Sequence, residues 1–229
     1  AIDETGRTLV ESNLIWNGQE YKMDYSDVEK KIVENNVKML LFCSPHNPAG
    51  RVWRREELEK IADICEKYDV IIVSDEIHHD FVYEGFKHIP MGLIRKDKTV
   101  VLSSASKTFN LAGMTTAMAI IPDDNIRAKW DAFVETIHIS EGNSFGYLAG
   151  EAAYLEGEEW FDEVKKIIYD NYIFLKDRLL EKLPKLQIAP LEGTYLMWAD
   201  FGAYLKESEM TYFFEKKCKI ALDYGEWFH

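Results

Sequence analysis

Cysteine is scarce in this sequence: three among 229 residues, at positions 43, 65 and 218, with no Cys-x-x-Cys pair. That number and spacing point to neither a disulfide framework nor a structural zinc site, and a reducing compartment, the cytoplasm, is the expected setting. Positive charge is short as well. Against 40 Asp and Glu stand 27 Lys and Arg, leaving a net charge of −13 and no long basic cluster. Nucleic acid and anionic membrane are therefore not expected partners, because both are held by cations that neutralise phosphate. Long apolar runs are missing too: stretches such as 39–43 and 70–73 fall far short of the ~20 residues that a membrane-spanning helix requires. Residues 1–7 have neither the basic start nor the apolar middle of a signal peptide. The first residue is not Met, so the chain is expected to be processed or to begin inside a longer protein.

Apolar residues make up 47% of the chain, and a chain of this length can bury roughly 70% of its unfolded surface. One large domain or two small ones can form without an accessory staple. Residues 37–44 are apolar and strand-like, and the cluster Pro45-His46-Asn47-Pro48-Ala49-Gly50 ends them, since its prolines cannot continue a helix or a central strand. Over 56–68, Leu58, Ile61, Ala62, Cys65 and Tyr68 recur at three- and four-residue steps between Glu and Lys, the period of an amphipathic helix. Short β-branched runs at 70–73 and 99–102 predict two buried strands, ending at Ser74-Asp75 and Ser103-Ser104. Strand, helix and strand with short connections imply a parallel pair, so the class is α/β, a mainly parallel sheet flanked by helices.

Further along, 117–121 reads as a strand closed by Pro122, with Asp123-Asp124 capping a helix over 125–138 and another helix at 145–155. Residues 158–183 carry acids early and bases late, matching the helix dipole, and Pro184 stops them. Such a helix would span about 39 Å, enough to lead the chain from one domain into another, and the boundary is placed at its start. Beyond it lie strand-like runs within 186–201 and a helical segment at 210–220.

Asn47, Asp75 and Ser104 each fall just after a predicted buried strand, the edge of an open parallel sheet where ligands bind. Their neighbourhoods, Ser74-Asp75-Glu76-Ile77-His78-His79-Asp80 and Ser103-Ser104-Ala105-Ser106-Lys107-Thr108-Phe109-Asn110, are too polar for plain core turns. Together with the segment from Ser44 to Trp53, these clusters resemble the fold-type-I pyridoxal-phosphate enzymes: the class I/II aminotransferase group and its cystathionine β-lyase-like branch. Separations of 28 residues from Asn47 to Asp75 and 32 from Asp75 to Lys107, in the same order, make the likeness specific.

The resemblance implies a role for each residue. Lys107 matches the lysine that holds the cofactor aldehyde, yields to the substrate amine and then serves as base for the Cα proton. Asp75 matches the carboxylate that keeps the pyridine nitrogen protonated. Asn47 and His78 match the positions that hydrogen-bond the phenolic oxygen, where many aminotransferases carry Tyr in place of His78. Ser104 and Ser106 match phosphate contacts. Read singly, each has a plainer explanation: Lys107 a solvated charge, Asp75 a helix cap, Asn47-Pro48 a turn. His46, His79 and Cys43 are read as packed residues near the crevice, and Trp53, Trp130, Trp160, Trp198 and Trp227 as core or interface aromatics. A metal site from Asp75, His78, His79 and Asp80 is disfavoured, because adjacent histidines point apart on a strand or a helix, so no metal is expected.

The resemblance also implies missing parts. The family's glycine-containing phosphate turn and ring-stacking aromatic are expected upstream of Ala1, the chain stops at Trp227-Phe228-His229 before the position of the family's carboxylate-binding arginine, and neither Arg51 nor Arg127 matches it. A fragment is expected: residues 1–157 as the later part of the large cofactor-binding domain, 158–229 as a linking helix and the start of a smaller α+β domain. Incomplete sheet edges would favour self-association. The implied activity is β-elimination from cystathionine-like amino acids, giving a thiol, pyruvate and ammonia, in a homodimer. The alternatives are an aminotransferase and a catalytically silent fragment.

Overall fold

In the computed structural model, which describes residues 2–139 and 142–228, the β-branched runs form a central sheet. The chain opens with a hairpin of β1 (Ile15–Trp16) and β2 (Tyr21–Lys22), followed by α1 (Tyr25–Asn35). Asp24 caps α1 by accepting from the backbone of Asp27. Then come β3 (Met39–Cys43), α2 (Arg55–Lys67), β4 (Ile71–Asp75), the single turn α3 (Met91–Ile94), β5 (Thr99–Ser103), the single turn α4 (Ala105–Thr108) and β6 (Met118–Ile120). Three long helices follow: α5 (Asp124–Thr136), α6 (Ser144–Glu156) and α7 (Glu158–Lys182). The C-terminal part has β7 (Gln187–Ile188) paired with β8 (Ala199–Asp200), then α8 (Glu207–Tyr212), which widens into a π-helical turn, Phe213–Cys218.

The sheet order is β3-β4-β5-β6, with the first three strands parallel and β6 antiparallel to β5. The chain is thus α/β, a mainly parallel sheet flanked by helices. The apolar stripe of α2 (Leu58, Ile61, Ala62, Cys65) is buried against Phe42, Val70 and Ile72 in the main core, which also holds Val28 and Ile32 of α1, Trp53 and Met91. Continuous apolar strands suggest burial on both faces, yet Met39 and Leu41 on β3 and Met118 and Ile120 on β6, the two edge strands, stay exposed. Of the five tryptophans read as core or interface, Trp53 is in the core, while Trp130, Trp160 and Trp227 are exposed.

The helix expected over 210–220 is divided. Its first part is α8 and its second the π-turn, which ends at Lys219 in a left-handed conformation. The hairpin and α1 have no counterpart in the sequence reading. Among the described residues no helix is long and apolar enough to cross a membrane.

Candidate active site

Parallel register aligns the carboxyl ends of the strands. Cys43 pairs with Asp75 and Asp75 with Leu102, and the ladder runs on through Ser44 N to Asp75 O at 2.9 Å and Glu76 N to Leu102 O at 2.8 Å. The segments bearing Asn47, Asp75 and Lys107 therefore leave the sheet on one edge.

After β3 the chain folds back on itself, with His46 N donating to Arg51 O at 2.8 Å and Gly50 N to His46 O at 2.9 Å. Gly50 has φ +69°, and a Cβ there would meet the Pro190 carbonyl oxygen at 3.0 Å, so the turn requires glycine. Arg51 anchors it from below. Wholly buried, Arg51 donates to Glu192 at 2.9 Å, to Glu57 at 3.0 and 3.1 Å and to the Tyr21 carbonyl, and lies 3.4 Å from Glu20. Arg127 is likewise engaged, with Ile121 O at 2.9 Å and with Asp124.

The turn presents Asn47, whose Nδ2 donates to His78 Nε2 at 3.1 Å. Burial pushes the pKa of His78 down to about 4, and the charge of Lys107 pushes the same way against a smaller opposing pull from Asp75. His78 is therefore neutral near pH 7. An imidazole that accepts at Nε2 carries its proton on Nδ1, and that Nδ1, like Asn47 Oδ1, is buried without a partner among the described residues. The mutual influence of Lys107, Asp75 and His78 puts the three in one electrostatic neighbourhood.

Asp75 is exposed and one carboxylate oxygen accepts from Ile77 N at 3.2 Å. Lys107, the third residue of α4, is half-buried. Ser104 caps α4: its Oγ accepts from Ser106 N at 3.0 Å and donates to Thr116 O at 2.6 Å, so its proton is already engaged. The Ser106 hydroxyl has no hydrogen-bond partner among the described residues.

His79 and His78 turn to different partners, His79 Nδ1 lying 2.9 Å from Glu76 O and 3.1 Å from Ser103 Oγ. His46 packs edge-on against Trp53 at 5.9 Å, and burial lowers its pKa to about 4. Cys43 is half-buried, with Sγ 3.3 Å from Pro45 O and accepting from Asn47 N at 3.4 Å. Burial raises its thiol to about 11. Among the described residues no group of three His, Cys, Asp or Glu could hold a metal ion.

Three buried charges escaped the sequence reading: Arg51, Glu192 and Glu76. Glu76 accepts at 2.8 Å from each of Ser74 Oγ, Met91 N and His88 Nε2. Tyr195 was also missed, its ring lying 5.2 Å from His78 and 5.1 Å from Phe81. For Arg51 and Glu192 the available signal was charge set beside glycine in otherwise apolar sequence.

Residues 4–226 match the family model described as aminotransferase class I and II. The chain belongs to that family. Within it, the chain is 36% identical over 228 residues to cystathionine β-lyase PatB of Bacillus subtilis, covering 98% of this chain and 59% of PatB. The pyridoxal-phosphate-bound C-S lyase from Staphylococcus hominis superposes with a TM-score of 0.90 at 35% identity, over 99% of this chain and 58% of that one. Cystalysin from Treponema denticola, whose structure contains a pyridoxal 5′-phosphate cofactor, gives 0.89 at 37% identity, over 97% and 57%. The chain thus spans less than two thirds of the length of these family members.

Proposed function

We propose that the chain binds pyridoxal 5′-phosphate and forms part of a C–S β-lyase acting on cystathionine-like amino acids, with release of thiol, pyruvate and ammonia. One observation carries the reading: near Lys107 and Asp75, a hydrogen-bonded Asn47–His78 pair leaves two polar atoms, Asn47 Oδ1 and His78 Nδ1, buried and unpartnered. Each such atom costs about 1–3 kcal/mol, and a bound cofactor carrying hydrogen-bond donors and acceptors would relieve that cost. Asp75 suits a protonated pyridine nitrogen, and the Ser106 hydroxyl suits a phosphate oxygen, whereas the Ser104 proton is held by Thr116 O. The donor set fits the cofactor.

Bound through its aldehyde, pyridoxal phosphate draws electrons from the substrate Cα, so that a proton can leave there and a thiolate can depart from Cβ. Lys107 Nζ is the amine that would hold the cofactor's aldehyde carbon and, as a free amine, would receive the Cα proton of a bound substrate. Asp75 holds the proton on the ring nitrogen. Asn47 and His78 orient the ring through its phenolic oxygen, and neutral His78 does so without adding positive charge.

We also assign residues 1–157 to the later part of a large cofactor-binding domain and 158–229 to a linking helix and the start of a smaller one, in a cytoplasmic homodimer. Free thiols at Cys43, Cys65 and Cys218 agree with a reducing compartment. The family description favours a second reading, aminotransfer, which differs in whether the Cα electrons return to the cofactor or expel a β-substituent. Added cofactor should give a visible absorbance band that Lys107→Ala abolishes, and cystathionine should yield pyruvate. Brisk transamination without pyruvate rejects the lyase; no lysine-dependent band rejects both readings and leaves a silent chain.

A further inference from the structure

The segment after Asp75 does more than supply His78. Residues 76–80 run back to the turn that carries Lys107 and hold it from both sides. On one side, His79 Nδ1 lies 3.1 Å from Ser103 Oγ, on the last residue of β5, immediately before the Ser104 cap of α4. On the other, the Asp80 carboxylate accepts a 2.7 Å hydrogen bond from Thr108 Oγ1, on the last residue of α4. The same oxygen accepts from Tyr154 of α6 at 3.3 Å, and the other Asp80 oxygen lies 3.3 Å from His79 Nε2. Thr108 is buried, and so is Glu76, which ties the base of this segment to Ser74, Met91 and His88.

A single helical turn does not sustain itself, because ordering its residues costs more than its one or two internal hydrogen bonds return. The position of α4 is therefore set by outside contacts: the Ser104 cap at one end and the Thr108–Asp80 hydrogen bond at the other. Lys107 sits between them. Its side chain keeps rotational freedom, but its Cα is fixed by a bracket that grows from the strand ending in Asp75. The spacing between the amine-bearing turn and the acid-bearing strand is thus set by the β4–β5 ladder at one end and, beyond it, by the His79–Ser103 contact and the half-buried Thr108–Asp80 hydrogen bond.

We infer that Asp80, acting through Thr108, is a positioning residue that sets the lysine-bearing turn against Asp75 for capture of an aldehyde cofactor. The inference rests on the pyridoxal-phosphate reading above. Four substitutions test it, Thr108→Ser, Thr108→Val, Asp80→Asn and Asp80→Ala, with pyridoxal 5′-phosphate as the probe. Three quantities are measured: visible circular dichroism per bound cofactor, the pH midpoint of the visible band, and the rate at which borohydride fixes the cofactor to Lys107, mapped by peptide mass.

Thr108→Ser keeps the hydroxyl and should match the unmodified protein, with Asp80→Asn close to it because its amide oxygen still accepts. Thr108→Val and Asp80→Ala should slow trapping about tenfold, the scale of one lost half-buried hydrogen bond to a charged group. They should also weaken the dichroism and move the midpoint. A role confined to stability would lower the melting temperature of the cofactor-free protein while leaving dichroism per bound cofactor and the midpoint in place, and that result overturns the inference. The near-isosteric Thr108 pair keeps the test decisive where Asp80→Ala fails to fold. Trapping at Lys107 that Thr108→Val leaves unaltered overturns the inference alone. An unmodified protein in which no cofactor is trapped at Lys107 overturns the cofactor reading and the inference together.

Discussion

A neutral imidazole buried beside a lysine makes folding sensitive to acid. His78 has its pKa pushed down to about 4, by burial first and then by the Lys107 charge, whereas an unfolded histidine titrates near 6.5. Between those values the unfolded chain binds a proton that the folded chain refuses. The stability is therefore fully present above about pH 6.5 and is lost as pH falls toward 4, on the order of 3 kcal/mol for His78. His46, also lowered to about 4, acts with the same sign. The urea midpoint of the cofactor-free protein should fall between about pH 7.5 and 4.5, and His78→Gln should show a shallower fall; equal slopes would contradict this. The placing of Asn47, Asp75 and Ser104 at one sheet edge was legible in the sequence because strand-end polar clusters are local patterns, whereas Lys107 was picked out through family resemblance. Arg51 was not legible, since its partner Glu192 lies 141 residues away and charge in a sequence does not disclose burial.

At the scale of elements, short pieces held by specific contacts carry the candidate site. Ser104→Ala removes the cap of α4 and its link to Thr116, and should cost about 1 kcal/mol, read as a lower melting temperature. Arg51→Leu should cost more, about 3–5 kcal/mol, because it leaves buried Glu192 without its cation. The double variant Arg51→Leu, Glu192→Leu should recover part of that loss, and a fully additive double variant would argue against coupling. The α2 stripe and the apolar runs of β3, β4 and β5 were readable from periodicity. The orientation of β6 was not, because a three-residue strand has no marker of direction and its pairing with β5 is settled by the connection. The C-terminal segment read as helical is helical, through α8 and then the π-turn, but the change of winding between them leaves no separate mark in so short a stretch.

For the whole molecule, the open edges of the sheet matter most. β3 and β6 expose Met39, Leu41, Met118 and Ile120, and unpaired strand edges with apolar side chains invite pairing between chains. The net charge of −13 opposes this by repulsion. Light scattering of the chain should show association that grows with protein concentration and with added salt, which screens the repulsion. Leu41→Glu should reduce it, and a salt-independent monomer would refute the expectation. The α/β class was legible from the alternation of strands and helix. Which strands carry exposed apolar side chains was not legible, since apolar runs look alike whether covered or bare.

Phe161, near the start of α7, packs against Phe81 at 5.0 Å and Phe109 at 5.8 Å, one from the segment after β4 and the other two residues beyond Lys107. From there the helix continues to Lys182, a rod of about 37 Å in all. Geometry alone ties the two ends together: a tilt of about 5° at the Phe161 end would sweep the Lys182 end through about 3 Å.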